Sequence, residues 1–94
     1  MTLVIEHEQD LRTVADLRLT LLAAITPGTP IVLDLSGVTG ADLAFVQLIE
    51  SARIHAAAVG ADLSLAGPVP AGLHDVLDRA GFGNAPSAHF WSMT

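Results

Sequence analysis

The chain has no cysteine and no lysine, and aromatic residues make up only 4% of its 94 positions. Without cysteine there is no disulfide framework, no zinc knuckle and no thiol nucleophile, which fits a reducing compartment. Without lysine, four arginines face ten acidic residues, for a net charge of −6. Such a surface repels phosphate backbones and anionic lipid, so nucleic acid is not an expected partner. Long hydrophobic runs are also missing. The best stretch, Leu19 to Leu33, is broken by "TPGTP" and falls short of the roughly 20 apolar residues a span needs, so no direct membrane insertion is expected. No basic segment precedes an apolar run at the N-terminus, so no secretory signal is expected and the expected location is the cytoplasm.

Motifs for common chemistries are absent as well. The histidines, His7, His55, His74 and His89, fall in four separate segments with no HxxxH spacing, so no metal site is expected. There is no GxSxG, GxGxxG or P-loop pattern. "GVTG" is too short to cradle a nucleotide, and no cofactor is expected.

What is present is 51% hydrophobic residues, too apolar for disorder and enough for one domain spanning residues 1–94 with a real core. "LVIE" (Leu3–Glu6) predicts a first strand. Thr13 as N-cap, with Asp16 three residues on, predicts a helix to about Ile25, its inner face formed by Val14, Leu17, Leu21 and Ala24. "TPGTP" stops it. "IVLDL" (Ile31–Leu35) reads as a strand covered on both faces. "SGVTG" reads as a loop, followed by a helix from Leu43 to Val59 with Asp42 as N-cap and Gly60 as left-handed stop. "DLSLA" (Asp62–Ala66) predicts a third strand. A last helix over Ala71–Ala80 carries Leu73, Val76, Leu77 and Ala80 on one stripe and ends at Gly81, with Phe82 packing back. The tail, residues 83–94, adds a short edge strand around Ala88–Ser92. Alternating strands and helices with short connections predict an α/β fold, a small sandwich of about four mostly parallel strands with three helices.

Seen as a helix, Leu43–Val59 places Phe45, Leu48, Ile49, Ala52, Ala56 and Val59 on a core face, with Gln47, Glu50, Ser51 and His55 opposite. Leu43 and Ile54 also fall on that polar side. They form a docking surface around Gln47, or they pack under the neighbouring loop or tail or are scattered surface aliphatics. Asp34 and Asp42 bracket the loop. Paired carboxylates do acid–base work or bind a hard cation, but capping and loop hydrogen bonding is the favoured reading. Ser36 and Thr39 are the loop hydroxyls. Turn hydrogen bonding is their ordinary role and phosphorylation the alternative. "HFW" (His89–Trp91), the only aromatic cluster, is either a lid over a sheet edge, the favoured reading, or an anchor for another chain.

Three stretches together resemble the STAS family, the anti-sigma-factor antagonist domains: "DLSGVTGADLAFVQLI", "LHDVLDRAGF" and "EQDLRTVADLRLTLLAAI". The resemblance covers about Leu3 to Phe82. The family's usual run is Asp-Leu-Ser, Gly-Val-Thr, two residues, Asp, two small residues, then Gly-Leu and an apolar helix. This chain departs from it in three ways. The N-terminal hairpin is reduced to one strand. Phe45 stands where the glycine is usual. Ala44 stands where the family has its phosphorylated Ser or Thr, and alanine has no oxygen to phosphorylate.

The resemblance implies a non-catalytic protein-interaction module in bacterial signalling, either sigma-factor partner switching or a chemotaxis-like pathway. It would bind a protein partner, such as an anti-sigma kinase-like or chemotaxis-like protein, through Asp42, Leu43, Ala44, Gln47 and Ile54. A STAS accessory subunit of an ABC-type lipid transporter, bound to the transporter ATPase through the same helix, is the alternative. An enzyme or small-ligand binder using Asp34 and Asp42 is a third reading.

Overall fold

The computed structural model describes residues 1–9, 11–81 and 90–91. Strand β1 (Thr2–Gln9) leads through helix α1 (Leu11–Ala24) to β2 (Pro30–Ala41). Helix α2 (Leu43–Val59), strand β3 (Asp62–Leu65) and helix α3 (Ala71–Ala80) follow. The sheet has the order β1-β2-β3 with both pairings parallel, so α1 and α2 are the crossovers of two βαβ units. The α/β class and the three helices agree with the sequence reading. The described residues hold three strands rather than four. Phe90 and Trp91, inside the expected edge strand, have helical backbone instead. Phe82 and the rest of the expected edge strand lie outside the described residues.

β2 is the central strand and carries an alternating pattern rather than two covered faces. Ile31, Leu33 and Leu35 are buried, while Val32 and Asp34 between them are half-buried. Val4, paired in register with Asp34, is 59% exposed on that outer side. The helices therefore pack on the face made by Ile5, Ile31, Leu33, Leu35 and Leu63. Leu21, Phe45, Ile49, Leu73 and Leu77 fill the single core against it. Burying aliphatic side chains of this size contributes about 1.5–3 kcal/mol each.

The largest correction concerns "SGVTG". It is not a loop: β2 continues through it to Ala41, paired Glu6↔Gly37, His7↔Val38, Glu8↔Gly40 and Gln9↔Ala41. The register shifts between Val4 and Glu6 and again between His7 and Glu8. His7, between the two shifts, is the only non-glycine residue with positive φ among the described residues, at 66°. That conformation costs about 1–2 kcal/mol for a residue with a Cβ. Gly37 packs closely opposite this bulged segment, because a Cβ there would sit 3.0 Å from Glu6 Cγ and the Glu6 side chain would have to shift. The glycines thus mark close strand pairing, a reading that competes with turns at the sequence level.

Thr13 is not the cap of α1, which begins two residues earlier at Leu11. Its hydroxyl donates instead to Gln9 Oε1 at 2.9 Å. Gln9 is buried, its side-chain amide donates to the Glu6 carbonyl at 2.6 Å, and its own carbonyl accepts from Asp42 N at 3.2 Å. One glutamine therefore joins the end of β1, the first turn of α1 and the residue that opens α2.

Candidate docking site at the start of α2

Asp42 opens α2 as expected. Its backbone is extended (φ −103°, ψ 179°) and Oδ1 accepts from Phe45 N at 3.1 Å, satisfying one of the helix's free N–H groups. Gly60 closes the helix in the left-handed region (φ 77°), its N–H directed at the carbonyls of Ala56 and Ala57. Both ends of the element are therefore fixed by the residues the sequence singles out.

Between these caps the faces sort by side chain. Phe45, Val46 and Ile49 are fully buried, with Val46 an addition to the expected core face. Phe45, where the family usually has glycine, turns its ring into the core, so the outer surface gains nothing from it. Leu43 is 48% exposed and Ile54 57% exposed, Gln47 is exposed between them, and Ala44 is half-buried. Leu43 and Ile54 lie three helical turns apart, roughly 16 Å. Gln47 lies on the same side, and so does Glu50, which is buried and bonded to Trp91 and so separates Leu43 and Gln47 from Ile54 along that side. Leu43 also borders a groove of about 310 Å³ shared with Val76, Arg79 and Ala80 of α3. α3 is held against this end of the sheet, since a Cβ on Gly72 would lie 3.3 Å from the Thr39 carbonyl oxygen.

Asp34 and Asp42 do not form a pair. Eight positions of extended β2 separate them, on the order of 20–25 Å, too far to share a proton or a cation. Asp34 accepts from the Ser36 hydroxyl at 2.6 Å and from Ser36 N at 3.0 Å. The hydroxyl first, and then the backbone N–H, hold its carboxyl below the ordinary value. The Ser36 hydroxyl is thus already engaged by a carboxylate, which also repels an incoming phosphate. Thr39 is exposed near the end of β2. Asp34 and Ser36 border a crevice of about 320 Å³ against Leu65–Val69.

Sequence reasoning missed one buried polar cluster. Glu50, assigned to the exposed face, is buried. Its Oε1 accepts from Arg53 Nε at 3.1 Å and also pairs with Arg53 Nη2, while Oε2 accepts from Trp91 Nε1 at 3.1 Å. Trp91 is completely buried, and Phe90 meets it edge-on with ring centroids 5.2 Å apart. Trp91 therefore packs inside the chain, on Glu50 of α2. His89 lies outside the described residues. The Glu50–Arg53 spacing was readable as an i,i+3 ion pair, but the Trp91 contact, 41 residues away, had no local signal.

Among the described residues no cluster of His, Asp or Glu can hold a metal ion, and no helix is long and apolar enough to cross a membrane. A family model described as "Mlab, STAS domain" matches residues 1–88, and the chain belongs to the STAS domain family. Members of this family are generally non-catalytic modules of protein interaction or regulation. No curated protein and no solved structure shows a significant match to the chain.

Proposed function

We propose that this STAS domain is a bacterial signalling module, cytoplasmic, that docks onto a partner protein through the start of α2 and is not switched by phosphorylation there. The observation that carries the reading is the exposure of apolar side chains on the outer side of this helix. Two branched aliphatics, Leu43 and Ile54, face solvent around Gln47, on the element the family resemblance assigns to partner contact. Ala44, at the position of the family's phosphoacceptor, offers no oxygen. Asp42, Leu43, Ala44 and Gln47 make the centre of the contact and Ile54 extends it. The partner is an anti-sigma kinase-like or chemotaxis-like protein, and binding is constitutive or regulated on the partner's side.

Incubation of the chain with a partner serine kinase and ATP, followed by intact-mass measurement, tests the unswitched state. The expected result is an unchanged mass, and phosphate on Ser36 or Thr39 would falsify it. Tagged purification of the full chain from its own cells identifies the partner class. A kinase-like or chemotaxis-like protein supports the signalling role, whereas a transporter ATPase transfers the same surface to an accessory-subunit role.

A further inference from the structure

A second apolar surface lies on the next side of α2, away from Leu43. Ile25, Leu48 and Ala52 form the inner wall of a groove between α1 and α2 of about 240 Å³, with exposed Leu22 along its edge. Arg18 and His55 stand beside them, exposed. From Arg18 to Ile25 the groove follows the last two turns of α1 and the residue after it, roughly 10 Å.

Its electrostatics differ from those of the rest of the chain. Acidic residues outnumber arginines ten to four, yet among the described residues no Asp or Glu lines this groove. Arg53 and Arg79 are each paired with a carboxylate on their own helix. Among the described residues Arg18 makes no hydrogen bond or ion pair. An unpaired guanidinium beside an apolar trough is complementary to a helix that offers aliphatic side chains and a carboxylate together.

We infer that the α1–α2 groove seats an amphipathic helix of a partner protein, with aliphatic residues at i, i+3 or i+4, and i+7 in the trough and an Asp or Glu on Arg18. This goes beyond the α2-start reading and does not require Leu43. A bilayer of anionic lipid is the poorer occupant because its extended charge meets the acidic surface around the groove as well as Arg18, whereas a single helix meets only the groove, and a second copy brings its own net charge of −6.

The test uses the full chain, isotope-labelled for NMR, and two helical peptides with leucines at those spacings, one carrying glutamate beside them and its twin carrying lysine. The glutamate peptide should bind about ten-fold more tightly. Its shifts should centre on Arg18, Leu22, Ser51 and His55. Arg18→Glu should reverse the preference between the two peptides, and Leu22→Asp should abolish binding of both, with the circular dichroism of each variant unchanged. Equal affinity for the twins overturns the inference. Shifts confined to Leu43 and Gln47 also overturn it while leaving the α2-start surface standing. Binding only to phosphatidylglycerol vesicles, or self-association without peptide binding, would assign the groove to lipid or to a second copy and overturn it as well.

Discussion

Two segments of α2, less than two turns apart, break the amphipathic rule in opposite directions. At the helix start an apolar side chain, Leu43, faces water, and in the middle a charged one, Glu50, is buried. The buried break is explained inside the chain, because Arg53 and Trp91 occupy both carboxylate oxygens. Among the described residues the exposed break has no such account: Asp42 already supplies the cap, and Leu43, at the edge of the α3 groove, is 48% exposed. A polar group turned inward is satisfied by its neighbours and belongs to stability. An apolar group turned outward beside a well-capped helix end is the surface proposed above for a partner. If this contrast is right, substitutions in the middle of α2 lower stability, and substitutions at its start lower binding.

The largest expected effect is at the buried end. Trp91→Ala should cost about 3–5 kcal/mol, since a fully buried indole leaves a cavity. In a domain of this size that lowers Tm by roughly 15 °C or more, measurable by calorimetry. Glu50→Ala should cost about 2 kcal/mol, because it leaves the Trp91 N–H unpaired and frees Arg53. Glu50→Gln, which keeps an acceptor for Trp91, should lose clearly less in urea denaturation. A larger loss for the glutamine variant would mean that charge, rather than hydrogen bonding, holds this cluster.

Asp42→Ala should cost about 1 kcal/mol through loss of the cap alone. It provides a scale for how much of any binding defect at this helix end comes from fraying. The smallest effect is at Ser36. Ser36→Ala removes the main cause of the depressed Asp34 pKa, so the carboxyl should titrate closer to the ordinary 3.8, readable from the pH dependence of its carbon NMR shift. The sign is that of a lowered acid. Asp34 favours the folded state above its unfolded pKa, and this contribution fades as pH falls through the folded value, below 3.8. The variant should therefore be slightly less stable than the parent at neutral pH and converge with it on strong acidification.

How legible all this was in the sequence depends on the range of the interactions concerned. α2 was legible to the residue, since Asp42 and Gly60 are local signals whose physics is complete within one turn. The α/β alternation followed from Pro and Gly punctuation between periodic segments. "SGVTG" was misread because glycine marks turns and close strand pairing alike, and only the partner strand, bent at His7, decides between them. Thr13 was misread because Gln9, not a helix N–H, takes its hydroxyl. Glu50 was placed outside because a helical wheel knows the angle of a residue but not that a tryptophan 41 positions later will cover it. In the candidate site, the exposure of Leu43 and Ile54 was anticipated from periodicity. The separation of Asp34 from Asp42 was not, because it depends on the length of β2.

The central claim concerns the start of α2, and the most direct measurement of it is the affinity of Leu43→Asp for the partner recovered with the parent chain. An aspartate in the first helical turn is tolerated by the helix dipole, so Tm should stay within a degree or two of the parent. The account predicts that, with the fold so preserved, Kd rises at least about ten-fold, as expected for a charge placed in an apolar contact. An unchanged Kd at unchanged Tm would contradict it, and would leave Leu43 as an ordinary exposed aliphatic.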